Sequence, residues 1–403
     1  MGLKGPRKES PGPDDRSARR QWDVPDCRHF TGYKPCFPAT RCYDECVNND
    51  PIGKRILIIN LDAMGNVLVT TTILPSLKRT YPQSHISWIT LGNAYPLLQN
   101  NPFLDRLYRW EPESWLILQQ LTFDLVLNVD KSRRAGAFLS TLHARERLGF
   151  GINENGVIVP LNPEAEENYI LGLDDDLKFR VNAKTVPQIL SEQFRLEYRR
   201  DNYTLRLTEA EQAFCEEFKR EHELTPDRHG RAPFIVGFNT GCSELYPNKK
   251  MTIDQHVRLI MRLSEEEGIR LLLVGGPEDT IRNAEIARRV GDRVVNTPST
   301  EGLRRGLCYI NICDLVVSGD SFGMHAAIAL KKHVVVWFGV SCSTEIDLFE
   351  RGTKLIPPGL ECSPCWKQEC PFDLECIKMV DLDRIVLEAI RYRDSFPGTP
   401  GTT

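Results

Sequence analysis

The chain has 403 residues and a formal net charge of −4, with 41% hydrophobic and 26% charged residues, which is ordinary for a globular protein. This charge gives no general attraction to a polyanion, so we expect no nucleic-acid partner. No apolar run approaches the roughly 20 residues needed to span a bilayer, and the start lacks the apolar core of a secretory signal. We therefore expect a cytoplasmic protein, with peripheral contact to the inner face of the membrane left open.

The first 50 residues differ in composition from the rest of the chain. Residues 1–22 are charged, contain Pro and Gly without periodicity, and indicate a disordered lead. Residues 23–50 form a short Cys-rich extension. The remaining residues are sufficient for two domains, each with its own hydrophobic core.

From residue 51 onward, short apolar runs alternate with amphipathic segments. The predicted elements of a first domain, residues 51–205, are strands 55–60, 85–90, 105–109 and 124–128, helices 66–80 and 94–99, and a helix from Ser132. The stretch 150–202 is mixed and polar, and no element is assigned to it. The alternation predicts a parallel, doubly wound sheet.

A second series of the same kind begins after residue 205. Its predicted strands are 234–239, 270–274, 293–296, 314–318 and 333–338, and its predicted helices are 253–267, 278–290, 300–312, 323–330 and 380–392. We assign residues 206–396 to this second domain and 397–403 to a tail. The chain is therefore predicted to contain two Rossmann-like domains that face one cleft.

The first strand of the first domain runs into a Gly-centred turn. Gly65 and Asn66 open a helix directly after this strand, and the single Gly argues against a dinucleotide fingerprint. Because ligands of open α/β sheets bind at the carboxyl ends of strands, we expect the turn to belong to a site. Asp62 is a candidate general base. A ligand-free turn, with Asp62 as a helix cap or a solvated side chain, is the alternative.

Two loops of the second domain predict binding of a nucleotide. Thr240-Gly241 lets a phosphate approach the backbone, and Lys249 supplies the positive charge that a diphosphate requires. Gly275-Gly276 can admit a nucleoside, and Glu278 can accept hydrogen bonds from ribose hydroxyls. A solvated Lys pair and a plain turn are the respective alternatives.

The segment 319–325 combines a hydroxyl, backbone amides and a helix start after a second buried strand. These groups converge on an anion in such turns. The candidate residues are Asp320, Ser321, Gly323, Met324 and His325. The alternative is an N-capping arrangement with a core-facing His.

Eight of the 13 cysteines form two clusters. The clusters are Cys27, Cys36, Cys42 and Cys46, and Cys362, Cys365, Cys370 and Cys376. Four thiols close in sequence in a cytoplasmic protein favour metal over disulfide. Zinc, an iron–sulfur cluster, one site shared by both clusters, and unliganded thiols all stay open; a metal here would be structural.

Taken together, these motifs resemble glycosyltransferase family 9, the ADP-heptose:lipopolysaccharide heptosyltransferases and their relatives, from about residue 53 to 392. The family's opening strand, turn and helix resemble 55–77, and its Asp-Ser/Thr-Gly-x-x-His signature is similar to 320–325, where Phe322 stands between Ser321 and Gly323. The family's phosphate-binding Lys corresponds to Lys249, and its Gly-Gly-x-Glu turn to 275–278. The family usually has Gly-Asp in the first turn, and that Asp resembles a catalytic base; here the position is Asn66.

The resemblance implies a GT-B fold and an inverting, metal-independent glycosyl transfer. The donor would be a nucleotide sugar, ADP-heptose, held by the second domain, and the acceptor a lipopolysaccharide core or other cell-surface glycan or glycolipid held by the first. The amide of Asn66 cannot accept a proton at neutral pH. Asp62 or another carboxylate would then be the base, or the base would be dispensable, or transfer would be slow or absent. A non-catalytic nucleotide-sugar or glycan-binding protein with a structural or redox metal site, and an epimerase of similar shape, are the alternatives.

Overall fold

The computed structural model describes residues 26–30, 32–42, 46–228 and 230–396. The predicted disordered lead and tail lie outside these residues. The chain divides into two compact units, one ending at Gly53 and one beginning at Lys54. In the described part of the chain, no helix is long and apolar enough to cross a membrane.

In the described residues of the unit that ends at Gly53, residues 27 and 28 contact residues 50 and 51. Cys27 and Pro51 form an isolated antiparallel bridge. The guanidinium of Arg28 pairs with the carboxylate of Asp50 at 3.1 Å. These contacts join the described start of the Cys-rich extension to its end.

The second unit begins with a six-stranded sheet of the order β3-β2-β1-β4-β5-β6. Its strands are β1 Arg55–Ile59, β2 His85–Thr90, β3 Arg106–Arg109, β4 Thr122–Asn128, β5 His143–Ile152 and β6 Ile158–Pro160. The first five run parallel, and β6 is antiparallel to β5. The central strands are apolar runs buried on both faces, as parallel strands covered by helices require.

The helices around this sheet are α1 Met64–Thr70, α2 Ile73–Thr80, α3 Tyr95–Leu98, α4 Pro112–Gln120, α5 Arg133–Ser140, α6 Glu166–Ile170 and α7 Val186–Gln193. The prediction of one continuous helix over 66–80 is wrong, because the chain breaks between α1 and α2. The hydroxyls of Thr71 and Thr72 donate to the carbonyls of Leu68 and Val69 at 2.6 and 2.8 Å. Such side-chain bonds compete with the helical pattern of the backbone.

The second sheet has the order β12-β11-β10-β7-β8-β9, and all its strands run parallel. Its strands are β7 Phe234–Asn239, β8 Ile269–Val274, β9 Val295–Asn296, β10 Leu315–Gly319, β11 His333–Trp337 and β12 Gly352–Leu355. Its helices are α8 Glu209–Glu221, α9 Ile253–Leu263, α10 Thr280–Val290, α11 Leu303–Ile312, α12 Phe322–Ala329, α13 Glu375–Lys378 and α14 Leu382–Ser395. Helix α9 ends at Leu263, earlier than predicted. Helix α11 begins later than predicted, at Leu303, because Gly302 before it adopts a φ of +90°.

Both sheets follow the strand order 3-2-1-4-5-6 of doubly wound folds, counted along each half. The order reverses between β1 and β4 in the first sheet and between β7 and β10 in the second. One apolar core cluster contains Ile58 of the first sheet, Val316 of the second and Met324 of α12, so the two halves pack on each other. The predicted pair of Rossmann-like domains is confirmed, and the two reversal points are where a ligand site is expected.

Candidate active site between two strand-to-helix turns

The turn after β1 brings Asp62 and Asn66 together. The amide Nδ2 of Asn66 donates to Oδ2 of Asp62 at 2.7 Å. The backbone N–H of Ala63 donates to Oδ1 of the same carboxylate at 2.6 Å. Asp62 is exposed, so its carboxylate is held in place and still reachable by a substrate.

Gly65 places this turn directly against the second domain. A Cβ atom on Gly65 would stand 2.6 Å from Cδ2 of His325, a distance that real Cβ atoms do not reach. His325 lies on α12, the helix that follows β10. The two Gly-containing turns therefore face each other, and only a residue without a side chain permits this approach.

Lys249 lies beside the turn after β10. Its ammonium forms an ion pair of 2.7 Å with Asp320, and each side chain is only 12% exposed. The ring of Trp366 covers the ammonium at 4.4 Å from its centroid. A phosphate would meet a desolvated cation here, and Asp320 is the counter-ion that it would have to compete with.

Two groups in this turn have pKa values that fix their charge. Burial raises the pKa of Asp320, but the nearby Lys249 ammonium outweighs burial and holds that pKa below its ordinary value. Burial lowers the pKa of His325 to about 4, with Lys249 adding to the effect and Asp320 opposing it. At neutral pH the site therefore contains a carboxylate, an ammonium and a neutral imidazole. The imidazole Nδ1 lies 3.3 Å from the hydroxyl of Tyr203.

The start of α12 matches the predicted anion turn only in part. Ser321 is the N-cap residue, but its side chain makes no capping bond. Its hydroxyl instead accepts a hydrogen bond of 2.9 Å from Asn239. Gly323 lies against the same Asn239 side chain, where a Cβ would stand 2.4 Å from its Cγ. Met324 is buried in the core, so only its backbone N–H, one of the free donors of a helix start, can face a ligand.

The two loops predicted to hold the nucleotide lie on neighbouring strands. Thr240 is buried, and its hydroxyl donates to the side chain of Asn283. Gly241 packs so closely on Asp279 that a Cβ would overlap the carboxylate. The Gly275-Gly276 turn has its Gly276 N–H bound to Asp279 at 3.0 Å. Glu278 is exposed at the end of this turn. Because β7, β8 and β10 are neighbours, these loops meet at one edge of the sheet.

The cysteines of the C-terminal cluster come together, and all thirteen cysteines of the chain are free thiols. Cys362, Cys365, Cys370 and Cys376 line one cavity of about 90 Å³. In the N-terminal cluster, Cys36 accepts a hydrogen bond of 3.6 Å from Asn48, and Cys27 accepts one of 3.4 Å from the N–H of Asp50. Among the described residues, no group of three or more His, Cys, Asp and Glu is arranged to hold a metal ion. The predicted metal stays a prediction.

Several residues around these turns were not singled out from the sequence. They are Asp130, Tyr203, Asn239 and Trp366. Asp130 and Asn239 could have been found from the sequence, since each lies at or just past the carboxyl end of a buried strand next to a predicted turn. Tyr203 and Trp366 lie in irregular segments, where no periodicity marks a position as part of a site.

The two Rossmann-like domains, with their carboxyl-end turns facing each other, define a protein of the GT-B class. A family model described as "Glycosyltransferase family 9 (heptosyltransferase)" matches residues 115–375, which is more than half of the chain. The chain therefore belongs to glycosyltransferase family 9.

Individual relatives are distant. The lipooligosaccharide heptosyltransferase 2 of Campylobacter jejuni is 24% identical over 159 residues, which are 38% of this chain and 50% of the relative. The chain thus spans about half the length of that relative in the match. The lipopolysaccharide heptosyltransferase 1 of Campylobacter coli is 22% identical over 76% of this chain and 90% of the relative. The structure of the E. coli ADP-heptose lps heptosyltransferase II superposes with a TM-score of 0.56, 18% identity and coverage of 84% of this chain and 99% of that one.

Proposed function

We propose that the protein is an inverting glycosyltransferase that moves a heptose-like sugar from a nucleotide diphosphate, ADP-heptose, to a lipopolysaccharide core or a similar glycan. The observation that carries this proposal is the contact of Gly65 with His325. This contact sets the turn with the reachable Asp62 carboxylate against the turn whose Asp320 pairs with the desolvated Lys249 ammonium. A transferase needs these two groups on opposite sides of the anomeric carbon. Because a protein of similar fold is the E. coli ADP-heptose lps heptosyltransferase II, ADP-heptose is the first donor to test.

The acceptor side and the leaving-group side of the reaction would be served by different domains. The acceptor hydroxyl attacks the anomeric carbon, its proton goes to Asp62, and the bond between that carbon and the diphosphate oxygen breaks. The leaving diphosphate takes the negative charge and is stabilised by Lys249 and the free N–H groups at the start of α12. Glu278 accepts from the ribose hydroxyls. No step of this scheme requires a metal ion.

A second function, binding of a nucleotide sugar without transfer, is favoured by Asn66. Its amide occupies the position where the family usually carries an acid, and an amide cannot accept a proton at neutral pH. In this alternative the donor would still bind to Lys249 and the α12 turn. The two functions differ only in whether the bond to the sugar breaks.

A panel of nucleotide sugars, including ADP-heptose, separates these functions. Binding is measured by calorimetry, and release of the nucleotide diphosphate is measured with candidate acceptors present. Binding with release would support the transferase and name its donor. Binding without release would favour the non-catalytic protein, and no binding of any donor would contradict both.

The acceptor and the location belong to the same proposal. A glycolipid acceptor is presented at a membrane surface, so an enzyme that uses one would work at the inner face of the cytoplasmic membrane. Sedimentation with vesicles that contain the acceptor glycolipid, compared with vesicles that lack it, tests this part. Equal sedimentation in both would contradict acceptor-dependent contact.

We also propose that the cavity lined by the four C-terminal cysteines holds a structural metal ion. The support is that four cysteines line one cavity of about 90 Å³ and that Trp366, next to Cys365, covers Lys249. Binding would require the thiols to turn toward the cavity. Zinc and iron content of the purified protein should be near one equivalent and fall with Cys365→Ser. Cys215 lies on α8, and its thiol donates to the carbonyl of Cys308 on α11, so Cys215→Ser is the control. A metal-free wild-type protein would contradict the proposal.

A further inference from the structure

A buried carboxyl group lies under the turn that carries Asp62. Asp130 follows β4, the strand beside β1 at the point where the strand order reverses. The backbone N–H of Leu61 donates to Oδ2 of Asp130 at 2.5 Å. The carbonyl of Leu61 accepts a bond of 2.7 Å from the guanidinium of Arg134, at the start of α5. Both backbone groups of the residue before Asp62 are thus held by side chains of one neighbouring segment.

The same carboxyl group is poorly suited to a purely structural role. Asp130 is 4% exposed, and among the described residues its Oδ1 has no hydrogen-bond partner. A buried polar atom without a partner costs free energy, and an amide or hydroxyl could bind the Leu61 N–H without burying a charge. Costly groups of this kind concentrate at functional sites.

The segment that carries Asp130 is itself firmly held. The backbone N–H of Asp130 donates to Oδ1 of Asn128 at 3.2 Å, and the amide of Asn128 donates to the carbonyl of Phe150 at 2.6 Å. The backbone that carries the carboxyl group is therefore anchored to β4 and β5.

We propose that Asp130 is a positioning residue: together with Arg134 it holds Leu61 and so aims the carboxylate of Asp62 at the acceptor hydroxyl. This inference rests on the proposed transferase function, in which Asp62 takes the proton. Asp130 touches no substrate, since it is buried, and acts only through the turn.

The charged groups that face Asp130 are Asp62 on the turn and Arg134 on α5. Burial raises the pKa of Asp130 to about 7, Asp62 adds to this rise, and the Leu61 N–H and Arg134 oppose it. Between pH 6 and pH 8 the carboxyl group therefore ionises, and hydrogen bonds to an ionised acceptor are about twice as strong as neutral ones. The hydrogen bond from the Leu61 N–H to Asp130 becomes stronger over this range, so kcat should rise from pH 6 to pH 8.

The test is the pH profile of kcat for Asp130→Asn in the full-length protein. The amide can still accept from Leu61 N–H but does not ionise, so we expect a flat profile from pH 6 to 8. At pH 8 we expect kcat to be about tenfold lower than wild type, with the KM for the donor unchanged. Asp124→Asn is the matched control: Asp124 accepts from the Arg55 N–H at 2.9 Å at the opposite end of the same two strands, and its profile should follow wild type. A wild-type profile and kcat in Asp130→Asn would overturn the proposal.

A second readout does not depend on activity. Hydrogen exchange of a peptide that contains residues 61–66 should be faster in Asp130→Asn than in wild type at pH 8, and unchanged in Asp124→Asn. Unchanged exchange in Asp130→Asn would contradict the claim that Asp130 holds Leu61, even if the wild-type protein transfers no sugar. If the wild-type protein is inactive but exchange is faster in Asp130→Asn, the proposed function is contradicted while the hold of Asp130 on Leu61 stands.

Discussion

The amide of Asn66 donates a hydrogen bond of 2.7 Å to the carboxylate of Asp62, one helical turn earlier in the chain. The position where the family usually carries an acid thus holds a donor, and the acid lies at the other end of the bond. A carboxylate held in this way is a fixed proton acceptor. The absence of an acid at position 66 is therefore compatible with catalysis.

Asp62→Asn should abolish transfer and leave donor binding intact. The new amide keeps one acceptor oxygen, for either Asn66 or the Ala63 N–H, and it cannot take a proton at neutral pH. Loss of a positioned general base lowers kcat by about 10²- to 10⁴-fold. The measurement is kcat together with the dissociation constant of the donor. Undiminished turnover would remove Asp62 from the mechanism.

Asn66→Ala removes the donor that orients Asp62 while the acid remains. A hydrogen bond to a charged group contributes about 1.5–3 kcal/mol, so kcat should fall by roughly tenfold or more, with unchanged affinity for the donor. Steady-state kinetics at a saturating donor concentration provide the check. A variant as active as wild type would mean that Asp62 needs no such support.

Lys249→Ala should weaken donor binding by about 10- to 100-fold, the loss expected for one charge-assisted hydrogen bond. Calorimetric titration with the donor measures the change. The substitution also leaves Asp320 buried without its counter-ion, so Lys249→Ala combined with Asp320→Asn separates lost attraction from new repulsion. Lys219→Ala on α8, paired with Glu216 at 3.0 Å on the surface, is the control. Unchanged affinity in Lys249→Ala would place the diphosphate elsewhere.

Gly65→Ala should destabilise the protein, because its Cβ would stand 2.6 Å from the buried ring of His325. Overpacking of this kind costs about 1–3 kcal/mol. Gly92→Ala is the matched control, since a Cβ there meets nothing within 4 Å. Thermal or denaturant unfolding of the two variants gives the comparison. Equal stability of both would show that the two turns do not approach as described.

The stability of the protein should fall on acidification partly because of His325. Its pKa is about 4 in the folded protein and about 6.5 in an unfolded chain, so the folded state binds fewer protons between these values. Its contribution is fully present above pH 6.5 and is lost as the pH falls through 4, about 3 kcal/mol in all. His325→Gln should therefore lose less stability than wild type between pH 7 and pH 4. The exposed His143→Gln is the control, and parallel curves for wild type and His325→Gln would contradict the assignment.

The parallel strands could be predicted because buried runs such as 55–59 and 315–319 are short, apolar and followed by Gly-containing turns. The break between α1 and α2 could not, since the pattern of apolar residues continues across Thr71 and Thr72 and only their hydroxyl bonds interrupt it. The residues of the two turns and the cleft that they face were predicted, but the direct contact between Gly65 and His325 was not. The contact of Gly65 with His325 joins positions far apart in the sequence, and periodicity carries no information about such distances.

The most direct test of the proposed function is release of ADP from ADP-heptose by the wild-type protein and by Asp62→Asn, measured with a lipopolysaccharide-core acceptor present. We expect release in step with glycosylation of the acceptor in wild type, and donor binding without release in the variant. Donor binding without release in both proteins would contradict the transferase and leave a protein that binds the nucleotide sugar.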